Sequence, residues 1–230
     1  MFNVCILMST YNPTIYIVDQ IKSILNQRDC HIDIYIRDDG STDVSYLKEI
    51  SMYCKKIYYE DNLGVSKSIH NLVNKIIDLD EIYDFYAFAD QDDVWLEEKL
   101  RKAIYCIKDF NQAHPALYYS NLRVVNTNLE GNRNLFKSGI VKTTKEQALA
   151  QIFTFGCTCV FNRKCLLVFG LTNIGDLPFD NVILIESVFL GKTYYDEIPY
   201  ILYRQHGENV SGQKEFGIKK LLQDLINFQL

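Results

Sequence analysis

Long apolar runs are missing from this chain. No stretch approaches about 18 consecutive apolar residues, so no segment is expected to span a membrane. The apolar N-terminus has no basic flank and no small-residue cleavage site, and Ser9 and Thr10 cut it short, so a secretory signal is not expected. Paired cysteines are lacking too. The 7 cysteines are odd in number, include no CxxC pair and sit mostly inside apolar runs, which reads as buried free thiols in a reducing, cytoplasmic compartment. Nor is there a basic excess: 24 Lys and Arg against 29 Asp and Glu leave a net charge of -5, which excludes nucleic-acid binding through a broad positive field. Two familiar phosphate grips are absent as well. No GxxxxGKS or GxxxxGKT loop and no GxGxxG after the first strand disfavour a P-loop NTPase and a dinucleotide dehydrogenase.

What is present is a folded, aromatic-rich chain of 230 residues, 48% hydrophobic, long enough for one medium domain with a substantial core. Short β-rich runs alternate with helix-period segments through the first half. Strands are expected at residues 4–8, 32–37, 57–59 and 83–89, and helices follow at about 17–25, 44–53, 66–77 and 97–110. That alternation predicts βαβ units and a mainly parallel sheet with helices on both faces. The second half is less regular. It suggests strands at 117–125 and 157–161, short helices at 145–152 and 181–190, and an edge strand or two short pieces at 194–203, where Pro199 intervenes.

The polar residues collect in a pattern. Residues 10–12 follow the first strand, 38–43 the second and 90–93 the fourth. In an open parallel sheet the carboxyl ends of the strands line one edge, where ligands bind. Several Asp side chains packed there are costly unless a cation neutralises them, which points to a hard divalent metal with oxygen ligands.

Five motifs occur in order: Ser9-Thr10-Tyr11-Asn12; Asp38-Asp39-Gly40-Ser41-Thr42-Asp43; Asn62-Leu63-Gly64-Val65; Ala89-Asp90-Gln91-Asp92-Asp93-Val94-Trp95; and residues 203–212, Tyr-Arg-Gln-His-Gly-Glu-Asn-Val-Ser-Gly. Together they resemble the family 2 inverting glycosyltransferases of the GT-A fold, in the branch of rhamnosyltransferases of bacterial polysaccharide synthesis. The resemblance covers residues 1–212, taken as one domain, with residues 213–230 as an appended amphipathic helix. It implies a UDP- or dTDP-sugar donor, a glycan or lipid-linked saccharide acceptor, and Mn2+ or Mg2+ as cofactor.

It also implies roles for particular residues. Thr10, Tyr11 and Asn12 line the nucleoside pocket, and Asn62 and Gly64 also bind the donor. Asp39 accepts the pyrimidine imide N–H, a task for an acceptor-only carboxylate, while Asp38 serves the turn. Asp92 is the direct metal ligand; Asp90 and Gln91 lie toward the ribose or the metal's waters. Asp93 is expected at the start of the following helix, near its positive dipole end. Trp95, the 1 tryptophan, reads as a packing anchor, with sugar stacking as the sharper alternative. Arg204 and Ser211 would meet the diphosphate, and His206 would complete the metal shell.

Relatives carry a His-Asp-Trp-Trp type of segment at the catalytic base. Here it reads Pro178-Phe179-Asp180-Asn181-Val182, which gives Asp180 the base position in altered surroundings. The plainer reading of Asp180 is a helix N-cap, and the two are compatible. The departure keeps a catalytically inactive nucleotide-binding or scaffold protein as the alternative function. A phosphatase of the haloacid dehalogenase type is disfavoured, because Asp-Gly-Ser-Thr follows the second strand rather than the first. The stripe of Ile218, Leu221, Leu222, Leu225 and Ile226 suits a core or homodimer face, and Lys214, Lys219 and Lys220 allow peripheral contact with anionic lipid.

Overall fold

A computed structural model of the chain describes residues 1–150 and 153–207. The appended helix expected at 213–230, and Ser211, lie outside the described residues.

The first half follows the alternation in its sequence. β1 (Phe2–Thr10), β2 (Cys30–Asp39), β3 (Lys56–Glu60) and β4 (Phe85–Ala89) are linked by α1 (Tyr16–Leu25), α2 (Ser45–Ile50) and α3 (Val65–Ile77). Both faces of β1 are buried, which is why it reads as an unbroken apolar run rather than an alternation. Val4, Ile6 and Met8 enter one core, beneath α1, α2 and a later helix, whereas Cys5 and Leu7 enter the other, beneath α3 and two later helices. On α1, Ile17, Ile21 and Ile24 are buried at helical spacing and drive its docking.

Beyond β4 the chain forms β5 (Val94–Trp95), α4 (Lys99–Ile107), β6 (Ala116–Ser120), β7 (Arg123–Val125), β8 (Arg133–Asn134), α5 (Lys145–Ala150), β9 (Val160–Phe161), α6 (Arg163–Leu171), α7 (Phe179–Leu190), β10 (Lys192–Asp196) and β11 (Ile201–Arg204). Among the described residues these strands make a 7-stranded sheet in the order β10-β6-β9-β4-β1-β2-β3 and a 4-stranded sheet in the order β5-β11-β7-β8. The larger sheet is parallel except at β9, which lies antiparallel between β4 and β6.

Several expectations need correction. Residues 117–125 are not one strand: Asn121 and Leu122 turn the corner from β6 in the large sheet to β7 in the small one. The Asn121 side chain fixes that corner, donating to the Phe136 carbonyl (2.8 Å) and accepting from the Phe136 amide (3.1 Å). Residues 194–203 do fall in two short pieces, one of the two outcomes expected, and β11 runs parallel to β7. Where a strand was expected at 157–161, Gly156–Thr158 form a single 3-10 turn before the short β9. α6 was not foreseen, because its apolar residues do not fall on one narrow stripe; Asn162 caps it by accepting the Cys165 amide at 2.9 Å. All 7 cysteines are free thiols. Among the described residues no helix is long and apolar enough to cross a membrane.

Candidate active site

The chain runs outward from β1 to β2 and β3, then returns so that β4 pairs with the other side of β1. The strand order therefore reverses between β1 and β4, the crevice where ligands of open α/β sheets bind. Residues 10–12, 38–43, 61–64 and 90–93 all emerge there, and they are bonded to one another.

Tyr11 and Gln91 exchange two bonds: the Tyr11 amide donates to Gln91 Oε1 at 3.0 Å, and Gln91 Nε2 donates to the Tyr11 carbonyl at 3.1 Å. Asn12 reaches across to the next loop. Its amide donates to Ser41 Oγ (2.7 Å), and its Oδ1 accepts from the Thr42 amide (2.9 Å) and hydroxyl (3.0 Å). Thr10 is buried, and its hydroxyl donates to Asp38 Oδ1 at 3.1 Å. Asp38 in turn accepts from the Ser41 amide (3.0 Å), closing the turn assigned to it from sequence. Tyr11 is left 51% exposed.

Asp39 is buried and heavily engaged. Oδ1 accepts from Arg37 and from the Leu63 amide (2.8 Å), and Oδ2 from the Gly64 amide (2.9 Å). Its carbonyl accepts from Asn62 Nδ2 at 2.8 Å. Gly64 holds φ at +80°, a conformation that costs other residues energy, and from it both directs its N–H at Asp39 and opens α3. Arg37 was missed by the sequence reading, although a charge in an apolar strand was the available signal. Only 1% exposed, it donates to Glu60 (2.9 Å), Ser68 (2.9 Å) and the Asp61 carbonyl (2.8 Å) as well as to Asp39. Those bonds offset the cost of burying the guanidinium.

The acidic run after β4 meets residues from four other segments. Gln20 of α1 donates to the Asp90 carbonyl at 3.0 Å. Asp92 Oδ2 lies 2.7 Å from His206 Nε2, and the His206 ring packs 5.3 Å from that of Tyr16. Arg204 is buried with its guanidinium over Tyr16, at 4.2 Å. It donates to the Asp92 carbonyl (2.9 Å), the Thr127 carbonyl (2.7 Å) and Asp19 (3.0 Å). The residue expected to meet phosphate thus braces the acidic loop against α1. Asp93 does not start a helix: α4 begins at Lys99, and Asp93 is fully buried, with Oδ1 accepting the Arg204 amide at 3.2 Å. Trp95 is 2% exposed in the core, where the Lys99 amine lies 3.5 Å above its ring, so it packs and does not stack on a sugar. Burial lowers the Lys99 amine to about 7, against the opposing pull of Cys157, Cys159 and Asp93.

Asp180 stands in the first turn of α7, whose N-cap is Pro178, so the N-cap reading of Asp180 is corrected. It accepts the Asn181 amide at 3.0 Å. Burial pushes its carboxyl up to about 6, opposed by backbone N–H groups of Asn181, Asp180 itself and Gly156. The Asp90 carboxyl is pushed up to about 7, by burial first and then by the charges of Asp92 and Asp180. The acid of α7 and the acids after β4 therefore share one electrostatic environment.

Would these residues suit a divalent cation? Ligand atoms of Asp90, Asp93 and Cys157 lie within 4.8 Å of one another, and Asp93 Oδ2 is buried without a hydrogen-bond partner. The cluster holds more like charge than it can easily keep ionised, which a cation relieves. Its carboxylates suit a hard ion such as Mn2+ or Mg2+; the thiol, held protonated by burial, does not. Cys157 was invisible to the sequence reading because it arrives from a distant segment.

Comparison with known proteins bears on this site. Residues 5–167 match the model of the family described as "Glycosyl transferase family 2". The dTDP-rhamnosyl transferase RfbG of Shigella flexneri is 34% identical over 226 residues, covering 89% of this chain and 73% of that protein. A putative teichuronic acid biosynthesis glycosyltransferase, TuaG of Bacillus subtilis, is 28% identical over 106 residues, 44% of this chain and 40% of its own length. Among solved structures, S. aureus TarS 1-349 in complex with UDP-GlcNAc superposes with a TM-score of 0.66 at 14% identity, over 96% of this chain and 64% of that one. The mannosyltransferase PcManGT of Pyrobaculum calidifontis, in complex with GDP-Man and Mn2+, gives 0.59 at 14% identity, over 90% and 58%. At such identities the likeness shows the fold, which is GT-A. The chain spans less than two thirds of these solved chains.

Proposed function

Because this chain belongs to glycosyl transferase family 2, we propose that it transfers rhamnose, with inversion, from dTDP-rhamnose to a hydroxyl of a glycan or lipid-linked saccharide in cell-surface polysaccharide synthesis. The dTDP-rhamnosyl relative supports the choice of donor. The observation that supports the reading is the set of polar loops bonded together at the strand-order reversal, with Asp92 beside His206 and its carbonyl held by Arg204.

In this reading Tyr11 and Asp39 bind the nucleoside. The lone pair of Asp39 Oδ2 not taken by the Gly64 amide receives the pyrimidine N3–H, while Arg37, Leu63 and Gly64 hold the carboxylate still. Asp92 with His206 would hold Mn2+ or Mg2+, with Asp90 nearer the ion's waters; when bound, the ion supplies positive charge to the departing diphosphate. Asp180 accepts the proton of the acceptor hydroxyl as that oxygen bonds to the anomeric carbon. The bond from that carbon to the diphosphate oxygen breaks on the opposite face, so configuration inverts in a single displacement. Arg204 keeps the acidic loop in place through the Asp92 carbonyl.

Thermal shift tests the donor site: dTDP with Mn2+ is expected to raise the melting temperature, and no shift with dTDP or UDP, with or without metal, sinks the reading.

A further inference from the structure

Gly156 is buried in the 3-10 turn before β9, with the Phe179 ring lying directly on it. A Cβ built at Gly156 would come within 2.2 Å of Phe179 Cζ and 2.5 Å of Cε2, far inside van der Waals contact. Only glycine leaves room for that ring. The ring is also held edge-on by Phe88, centroid to centroid 5.2 Å, near the end of β4 and two residues before Asp90. Ser66 of α3 accepts the Phe179 amide at 3.3 Å. Phe179 is therefore clamped between the turn, β4 and α3, and the next residue is Asp180. The Gly156 amide lies close enough to the Asp180 carboxylate to favour its ionised form. A socket formed by a backbone and a ring thus fixes the first turn of α7, the place where relatives carry a different segment.

We propose that Gly156 is a positioning residue for Asp180: its bare Cα seats the Phe179 ring, and that seat sets where the Asp180 carboxylate stands relative to Asp90. The inference rests on the base reading of Asp180 and extends it to a residue that touches neither sugar nor nucleotide. Geometry of this kind is catalytically costly to disturb, since a displacement of about 1 Å at a reacting group lowers rates roughly a hundredfold.

The test is a size-compensation series on the full chain, reading dTDP release from dTDP-rhamnose with Mn2+, the affinity for dTDP, and crystal structures of the variants. Gly156→Ala is expected to lower kcat roughly tenfold to a hundredfold, to leave the Kd for dTDP unchanged, and to show Asp180 displaced. Gly156→Ala combined with Phe179→Leu, which removes the ring atoms that clash, is expected to restore most of the lost kcat and return Asp180 toward its place. Phe179→Leu alone loosens the seat and should lower kcat modestly at unchanged Kd; it decides the matter if Gly156→Ala does not fold. An unmoved Asp180 in Gly156→Ala, wild-type turnover in both single variants, or no recovery in the double variant overturns the proposal. Asp180→Asn separates the two layers. If it turns over normally the base reading fails, whereas a dead Asp180→Asn beside a fully active Gly156→Ala refutes only the positioning role.

Discussion

The loops at residues 10–12, 38–43, 61–64 and 90–93 are joined to each other mainly by hydrogen bonds between side chains and backbone. The segments from residue 116 onward, which carry Asp180, add aromatic packing to their hydrogen bonds: Phe179 on Gly156 and Phe88, Phe136 on Phe153 and Phe155, Phe155 on Tyr203. Hydrogen bonds need particular atoms at particular distances, so the first region is fixed by residue identity. Packing needs volume and shape, so the second can be reached by many sequences. The two regions should then answer differently to substitution, the first through binding and stability, the second through turnover.

The sharpest separation comes from Asp180→Asn, expected to cut turnover by roughly 10²–10⁴-fold with calorimetric dTDP affinity preserved; a matching loss of affinity would merge the two regions. Next in size is Arg37→Met. It leaves the buried Asp39 without its cation, while Glu60 keeps Lys75, and should cost about 3–5 kcal/mol, read as a lowered urea midpoint. A shift under about 1 kcal/mol would mean that the hydrogen-bonded region is not held from beneath. Asp39→Asn is expected to weaken dTDP binding roughly tenfold or more, because a charged acceptor is lost, with kcat at saturating donor nearly unchanged. For pH, the Asp180 carboxyl at about 6 must be ionised to accept a proton. Turnover should therefore be flat above that value and fall roughly tenfold per unit below it. In Asp180→Asn this limb should vanish; its persistence would assign it to another group. The smallest effect is expected from Gln91→Ala, which removes the reciprocal pair with Tyr11 and should weaken donor binding a few-fold, about 0.5–1.5 kcal/mol.

Legibility in the sequence follows the same division. The motifs around Asn12, Asp39, Gly64 and Asp90–Asp92 could be read directly, because each sits at the end of a strand whose apolar run announces it. The first four strands and the first four helices were all placed within about three residues at each end. Past residue 116 the same reasoning merged β6 with β7, extended β9 and overlooked α6. There the chain changes sheets within a strand-like run, and periodicity carries no mark of which sheet a residue joins. Within the site, Arg37 left a trace as a charge inside an apolar strand, while Cys157 and Gly156 left none.

The sequence by itself determined that the strands of one sheet end in an acidic, metal-suited edge, because burial on both faces of a strand and polar loops at its end are local properties of composition. Only the tertiary structure decided that Arg204 spends its donors on Asp19, Asp92 and Thr127, that Asp93 is buried beside Cys157, and that Phe179 rests on Gly156 to hold Asp180. Those are contacts between residues 23 to 185 positions apart, set by how the helices pack on the sheet, and packing is a property of volumes meeting in space that no single stretch of chain contains.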